Sequence, residues 1–143
     1  MAGKGSTYIN DILKLLFNAT AIANIADNAA TSPLTNLYIA LHTADPGPGG
    51  TQSTSEATYT GYARVAVART SGGFTVTGAS VSPTAAINFP ACTAGSNTIT
   101  HWSIGVATSG ATKLLYSGAV SPNISVSSGV TPQLTAASTV TEA

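Results

Sequence analysis

The sequence predicts a mainly β protein in which one N-terminal amphipathic helix precedes an antiparallel β-sandwich of about eight strands, arranged like a jelly roll. Two observations carry this prediction. Apolar residues recur at helical spacing only near the N-terminus. The remainder of the chain consists of short alternating runs at intervals of about ten residues, with glycine and proline between them. We therefore expect an arm and helix over residues 1–30 and the sandwich over residues 31–143.

The predicted helix covers residues 8–26, where apolar side chains form one stripe. The members of the stripe are Ile9, Ile12, Leu13, Leu16, Thr20 and Ala23. Asp11 and Lys14 interrupt the apolar run, so we expect a helix here rather than a signal peptide. Residues 1–6 contain two glycines and Lys4, and we expect them to form an arm that docks on a neighbouring protein.

The strands are predicted from the alternation of apolar and polar residues and from the turn residues that bound them. In the first strand, Leu37, Ile39 and Leu41 alternate with smaller or more polar residues. The segment 45–50 reads Asp-Pro-Gly-Pro-Gly-Gly and predicts a turn and loop. The predicted strands cover residues 37–42, 62–67, 74–77, 85–89, 98–107, 114–120 and 124–127, with a break at Pro122, and a segment after residue 130.

Formal charge is scarce and balanced, with five Lys or Arg and five Asp or Glu among 143 residues. So few scattered cations exclude a basic footprint for nucleic acid. No apolar run is long enough for a transmembrane helix, and the single cysteine, Cys92, excludes a disulfide framework within the chain. A surface with so little charge is weakly protected against self-association, so we predict a dimer or trimer of this chain.

His42 and Asp45 form an H-x-x-D pair at the end of a strand, and Glu56 lies in the loop that follows. A hydrolase or metal site needs a further ligand or a nucleophile beside them, and the sequence supplies none nearby. We therefore predict that Asp45 caps the Asp-Pro turn and that His42 ends the strand. A polysaccharide hydrolase that uses these three residues is the enzymatic alternative. The main prediction is a protein without catalytic residues, cofactor or metal.

His101 and Trp102 are neighbours on a strand, so their side chains point to opposite faces. Trp102, Ile104 and Val106 are predicted to face the core. The residues expected to point toward solvent or a partner chain are Ile99, His101 and Ser103. Nothing near Cys92 indicates an activated thiolate for a Cys92–His101 pair, so Cys92 is predicted to be a buried apolar cysteine.

A cluster of aromatic rings and a cation occurs at Tyr59, Tyr62 and Arg64. Such a composition is enriched at protein interfaces, although it also occurs on ordinary sheet surfaces, and the sequence does not decide between the two. The candidate interface residues are Lys4, Tyr59, Tyr62, Arg64 and His101.

Six blocks of the sequence carry a resemblance to a known family. The blocks are LYIALHTADPGPGG (37–50), GYAR (61–64), INFP (87–90), ITHWSIG (99–105), LLYSGAV (114–120) and a stretch ISVSSGVTPQL that begins at residue 124. In content and order they resemble small bacteriophage virion proteins of the tail-fibre, minor structural and decoration type. Each block is short, but together they span most of the chain.

The resemblance implies a structural component of a bacteriophage particle, made in the bacterial cytoplasm and located in the virion, without catalytic activity. Compact size and the predicted arm favour a capsid decoration (cement) protein that stabilises the capsid lattice by many weak non-covalent contacts. The alternative is a component of the tail fibre or tail tip, or a receptor-binding knob. The expected partners are the major capsid protein or tail proteins and other copies of this chain, with no nucleic acid and no membrane.

Overall fold

The computed structural model describes residues 6–22, 25–26, 28 and 33–143. The mainly β class, with one N-terminal helix followed by antiparallel strands, is confirmed. In chain order the elements are α1 (Ser6–Asn18), β1 (Asn36–His42), β2 (Val65–Ala68), β3 (Phe74–Thr77), β4 (Ser80–Pro83), β5 (Ile87–Asn88), β6 (Asn97–Gly105), β7 (Leu114–Val126), β8 (Gln133–Leu134) and β9 (Val140–Thr141).

The chain divides into two compact units, each assembled from segments that are distant in sequence. The unit that we call the helix unit takes its described residues from Met1–Asn36, Val67–Ala86 and Thr135–Ala143. The unit that we call the sheet unit consists of Leu37–Ala66 and Ile87–Leu134. The division of the chain at residue 30 stays a prediction.

In the helix unit, α1 packs against a three-stranded sheet with the order β3-β4-β9. Leu13 and Phe17 are the fully buried residues of the helix. Phe17 meets Phe74 of β3 edge to face, with 5.0 Å between the ring centroids, which is a geometry that aromatic pairs prefer. Leu13 belongs to the predicted stripe, whereas Phe17 lies beside it.

The helix ends at Asn18, well before the predicted end at residue 26. Ala19 has a left-handed backbone with φ 52°, which stops the helical hydrogen-bond pattern. The guanidinium group of Arg69 then donates hydrogen bonds to the carbonyl oxygens of Leu16 (2.7 Å) and Leu15 (2.9 Å). These carbonyls have no partner further along the helix, so a distant arginine caps the helix C-terminus.

The β4 strand has no counterpart among the predicted strands, because Val81 is its only large apolar residue. It forms by pairing with β3, where Phe74 lies opposite Pro83, and with β9, where Val140 lies opposite Val81. Its position is therefore set by its neighbours in the sheet and not by its own pattern.

In the sheet unit, β1, β6 and β7 form one antiparallel sheet in this order, and β5 pairs with β8. The β1–β6 pair is antiparallel, with Tyr38 opposite Gly105 and His42 opposite His101. From Ile39 to His42 every residue of β1 is buried, so both faces of the strand are covered at this end. Polar side chains in this part of the sheet must find partners inside the protein.

The β7 strand is continuous over 13 residues, whereas the sequence predicts two strands separated at Pro122. The reason is a register shift in the β6–β7 ladder, in which His101 pairs with Ala119 and Ile99 pairs with Ile124. Pro122 lies in the unpaired stretch between these positions, so its missing N–H group removes no hydrogen bond from the ladder.

The prediction of the core face of β6 is confirmed for Trp102 and Ile104, because both side chains are buried. The third predicted residue, Val106, lies beyond the end of β6 and is half-buried. The expectation that Ile99 and Ser103 point to solvent or a partner is wrong, since neither residue is exposed at all. Alternation fails here because the second face of β6 is also covered, in part by the loop that contains Gln52. His101 is half-buried.

Candidate functional site: a buried polar network

The most highly organised polar feature of the sheet unit is a connected set of buried or half-buried side chains around Arg64. We call it the Arg64 network, and its members are His42, Gln52, Glu56, Tyr62, Arg64, Ser103 and Thr112. His42 ends β1 and Ser103 lies in the middle of β6, so two adjacent strands place them side by side. The other members come from loops, which fold back onto these strands.

The centre of the network is an ion pair between Arg64 and Glu56. Arg64 donates from Nε to Glu56 Oε1 (2.7 Å) and from Nη2 to Glu56 Oε2 (2.8 Å), so the pairing is bidentate. The Arg64 side chain is 1% exposed and that of Glu56 is 18% exposed. Hydrogen bonding to Glu56, more than any other cause, raises the pKa of Arg64. A cation buried this deeply needs its carboxylate, because an unpaired charge in the interior is very unfavourable.

Arg64 also joins two loops to each other. Its Nη2 donates to the carbonyl oxygen of Gly110 (2.8 Å), and its Nη1 donates to the carbonyl oxygen of Ala107 (3.1 Å) and to Thr112 Oγ1 (3.2 Å). These residues belong to the loop between β6 and β7, while Glu56 belongs to the loop after β1. One guanidinium group therefore fixes both loops in a single arrangement.

Gln52 connects Arg64 with the strands. Its Nε2 donates to the carbonyl oxygen of Tyr38 (2.9 Å) and, more weakly, to Ser103 Oγ (3.5 Å). Its Oε1 accepts hydrogen bonds from Arg64 Nη1 (3.3 Å) and from Thr112 Oγ1 (3.4 Å). These partners fix the orientation of the amide.

Space for the Gln52 side chain depends on a glycine. A Cβ atom at Gly105, the last residue of β6, would overlap the Gln52 amide. The absence of a side chain at this position therefore allows the amide to lie directly on the strand.

His42 is fully buried between two oxygen atoms. Its Nδ1 lies 2.8 Å from the carbonyl oxygen of Thr54, which can only accept, so Nδ1 carries the proton. Its Nε2 is then free to accept the hydroxyl proton of Ser103, whose Oγ lies 2.7 Å away. Burial lowers the pKa of His42, so the imidazole is neutral in the folded protein near pH 7.

The two tyrosines of the predicted interface cluster also make internal hydrogen bonds. Tyr62 donates from Oη to Glu56 Oε1 (2.9 Å) and accepts from the backbone N–H of Leu41 (3.1 Å). Tyr59 donates from Oη to the carbonyl oxygen of Pro90 (2.9 Å). Burial raises the pKa of Tyr62, and it raises the pKa of Tyr59 to about 12.

The structure corrects the expectation that the aromatic–cation cluster is exposed. Taken as whole residues, Tyr59 is 3% exposed and Arg64 is 8% exposed, and Tyr62 is half-buried. The physical reason is that each polar group has a partner inside the sheet unit, which compensates for its removal from water. His101 is half-buried, with Nδ1 2.9 Å from Thr100 Oγ1. Lys4 lies outside the described residues, and an interface role for these five residues stays a prediction.

Two residues of the enzymatic alternative, His42 and Glu56, lie together in the Arg64 network, whereas Asp45 is not a member of it. Asp45 Oδ1 accepts the backbone N–H of Gly47 (2.9 Å), so Asp45 caps the Asp-Pro turn as predicted. Glu56 is bound to Arg64, and His42 faces Ser103 and Thr54. In the described part of the chain, no three His, Cys, Asp or Glu residues are close enough to hold a metal ion.

Cys92 is buried, as predicted. Its thiol donates to the carbonyl oxygen of Ala94, with Sγ 3.3 Å from that oxygen. Among the described residues, no helix is both long enough and apolar enough to cross a membrane.

Sequence reasoning missed Gln52, Ser103 and Thr112 as members of the network. Gln52 lies in a polar stretch that predicts a surface loop, and nothing in that stretch marks it as buried. Ser103 lies between two core residues of an alternating strand, a position that predicts exposure. The available signal was Arg64 itself. It is one of only five cations in the sequence and was predicted to lie in a strand, so polar partners for its guanidinium group were to be sought elsewhere in the chain.

The fold and the network define a class of protein: a mainly β module whose buried polar side chains hold its own loops together. Residues 7–142 match the model of the family described as podophage GP4 fiber I protein gp80, so the chain belongs to that family. No curated protein matches the sequence. Membership supports a structural role in the phage virion and a location there. It favours the tail-fibre alternative over capsid decoration, which was the main prediction.

Proposed function

We propose that this chain is a structural component of a podophage tail fibre. The observation that carries the proposal is the family match, which extends over residues 7–142 and thus over both compact units. The resemblance of the six sequence blocks to small virion proteins points the same way.

The organisation of the sheet unit supports a structural rather than a catalytic role. The titratable members of the Arg64 network are engaged with one another or with the backbone, and His42, Gln52 and Ser103 are fully buried. A site for turnover needs groups that a substrate can reach. A fibre component needs a fold that persists outside the cell, and buried, mutually satisfied hydrogen bonds contribute to that.

The test is to locate and count the protein in purified virions. Quantitative mass spectrometry against the major capsid protein and a tail protein gives the copy number, and gold-labelled antibodies viewed by electron microscopy give the position. We expect a copy number that is a small multiple of the tail symmetry, with label at the tail.

A copy number comparable to that of the major capsid protein, with label over the capsid, would overturn the fibre proposal in favour of decoration. Absence of the protein from purified particles would contradict both the fibre proposal and the decoration alternative. The partners that follow from the proposal are tail proteins and other copies of this chain, and chemical cross-linking of intact virions identifies which of them are adjacent.

A further inference from the structure

Within the Arg64 network, a serine hydroxyl, a histidine and a glutamine amide lie together, and these are the groups that an acyl transfer requires. Ser103 Oγ is 2.7 Å from His42 Nε2 and 3.5 Å from Gln52 Nε2. We propose that Ser103 and Gln52 react to form an intramolecular ester, which cross-links the loop after β1 to the central strand β6. The proposal rests on this geometry alone and is independent of where the protein lies in the virion.

The nucleophile of this reaction is Ser103 Oγ, and its base is His42. A serine hydroxyl is a weak nucleophile unless an adjacent base takes its proton. His42 Nε2 is the acceptor of that proton, because Nδ1 is protonated and donates to the carbonyl oxygen of Thr54 (2.8 Å). The same hydrogen bond orients the imidazole ring. Burial also keeps His42 neutral by lowering its pKa, so the base is in its active form.

The electrophile is Cδ of Gln52, and its carbonyl oxygen already has two donors. Arg64 Nη1 lies 3.3 Å and Thr112 Oγ1 lies 3.4 Å from Gln52 Oε1. When a nucleophile adds to a carbonyl carbon, negative charge develops on this oxygen, and preorganised donors lower the barrier. Cδ is bonded to Nε2, which lies 3.5 Å from Ser103 Oγ, so the carbonyl carbon is one bond away from the atom that contacts the nucleophile.

The bonds and protons balance without any further reactant. Ser103 Oγ adds to Gln52 Cδ while its proton passes to His42 Nε2. The C–N bond of the resulting tetrahedral intermediate then breaks, and Nε2 of Gln52 leaves as ammonia with the proton that His42 returns. The product is an ester between Ser103 Oγ and Gln52 Cδ, and His42 is regenerated in its original state.

Burial favours formation of the ester over its hydrolysis. His42, Gln52 and Ser103 are each 0% exposed, so the carbonyl carbon is shielded from bulk water in the folded protein. Ammonia is lost to solvent, which makes the reaction directional. The chain has a single cysteine and therefore no internal disulfide, so an ester is a covalent restraint that its composition still allows.

The experiment is peptide mapping of the protein isolated from virions and denatured before digestion. Trypsin cleaves after Lys14, Arg64, Arg69 and Lys113, which places Gln52 in the peptide 15–64 and Ser103 in the peptide 70–113. We expect one species whose mass equals the sum of these two peptides less one ammonia. Hydroxylamine should split it into the two peptides and leave a hydroxamate on residue 52.

Two linear peptides, each at the mass calculated from the sequence, would overturn the proposal. Loss of ammonia within one peptide alone would also overturn it, because that result indicates cyclisation at an asparagine. These outcomes are read from the wild-type protein, so the test does not depend on whether any variant folds.

Recombinant variants assign the roles. Ser103→Ala removes the nucleophile and His42→Gln removes the base, and we expect both proteins to give only linear peptides. Ser109→Ala is the matched control, because it removes an exposed hydroxyl from the loop that Arg64 binds. The control should retain the cross-linked species, and a cross-link that persists in Ser103→Ala would contradict the assignment.

Discussion

At the scale of single residues, Arg64 shows how one buried cation organises the sheet unit. Its guanidinium group binds Glu56 with two hydrogen bonds and reaches the carbonyl oxygens of Ala107 and Gly110. The group has partners in two loops, so its removal affects both. The contribution of Arg64 to the free energy of unfolding depends on Glu56, because the guanidinium charge stays in the interior whether or not its counter-charge is present.

We expect Glu56→Gln to lower the free energy of unfolding by about 2–3 kcal/mol, since it leaves Arg64 buried without a counter-charge while preserving the side-chain shape. Urea unfolding followed by fluorescence measures the change. Asp45→Asn is the matched control, because it also removes one carboxylate but at an exposed turn, and we expect a change within about 0.5 kcal/mol. Equal effects of the two substitutions on the free energy of unfolding would show that the Arg64–Glu56 ion pair does not stabilise the protein.

The stability of the protein should fall as the pH falls below neutrality, because of His42. Burial lowers the pKa of His42 in the folded protein below the ordinary value of 6.5, in spite of nearby Glu56. As the pH falls through 6.5 the unfolded chain therefore binds a proton on this residue that the folded protein does not bind. The free energy of unfolding then decreases by up to about 1.4 kcal/mol per pH unit, until the pH reaches the lowered pKa.

Urea unfolding at a series of pH values between about 8 and 5.5 tests this slope. His42→Gln should flatten the dependence. His101→Gln, which replaces the other histidine of the chain, is the matched substitution for comparison. If the slope survives in His42→Gln, a different group is responsible.

At the scale of elements, the helix shows a dependence on a residue far away in sequence. Arg69 donates to the carbonyl oxygens of Leu15 and Leu16 in the last turn of α1 and to that of Leu34 (2.6 Å). A helix C-terminus attracts cations, and the planar guanidinium group can serve several carbonyls at once.

Arg69→Lys should therefore destabilise the protein by about 2 kcal/mol, because an ammonium group keeps the charge but cannot reach the same three carbonyls. The measurement is urea unfolding monitored by far-ultraviolet circular dichroism. Lys14→Arg makes the converse exchange at an exposed position of the same helix and should have an effect within about 0.5 kcal/mol. If Lys14→Arg lowers the free energy of unfolding as much as Arg69→Lys does, Arg69 does not cap the C-terminus of α1.

Trp102 provides the corresponding test for β6. Its side chain is 6% exposed, so Trp102→Ala should cost about 3–5 kcal/mol, as expected for a large side chain lost from a core. Thr98→Ala, on an exposed position of the same strand, should change the free energy of unfolding by less than about 0.5 kcal/mol. Calorimetry or urea unfolding followed by circular dichroism is suitable, and a cost below about 1 kcal/mol would contradict the core position of Trp102.

Elements whose own pattern matches their surroundings were predictable from the sequence. β1 and β3 were found within one residue of their observed bounds, because apolar and polar residues alternate within them. The end of α1 was not predictable, since Arg69 and a left-handed Ala19 determine it. β7 was divided wrongly because a register shift, which only the partner strand reveals, accommodates Pro122.

The candidate site was predictable in part for the same reason. Tyr59, Tyr62 and Arg64 were recognised as a cluster, but alternation places them on a surface. Their burial depends on partners such as Glu56 and Gln52, which belong to a loop without regular spacing. Which residues a loop covers is a property of the folded chain that no local pattern contains.

At the scale of the whole molecule, the low charge of the chain matters for assembly. From Thr70 to Thr112 the sequence has no formal charge, and Arg64 and Glu56 neutralise each other inside the sheet unit. The charge left on the surface is therefore even smaller than the composition indicates. The predicted dimer or trimer remains to be measured, and sedimentation equilibrium of the purified protein determines it.

The predicted docking arm is tested by deleting residues 2–5, which leaves α1 intact because the helix begins at Ser6. We expect fewer copies per virion and an unchanged circular dichroism spectrum. A variant in which these residues are replaced by glycine and serine separates the effect of sequence from that of length. Unchanged incorporation of the deletion variant would exclude a docking role.

The position of Trp102 makes it an intrinsic optical probe of the sheet unit. It is the only tryptophan of the chain, and its indole lies against Gly118 of β7. Its emission should be blue-shifted in the native state and should report opening of the β6–β7 pair. Among the described residues, the helical part of the far-ultraviolet ellipticity comes from α1, in the helix unit. Following both signals in one titration shows whether the two units melt together or in sequence, without any added label.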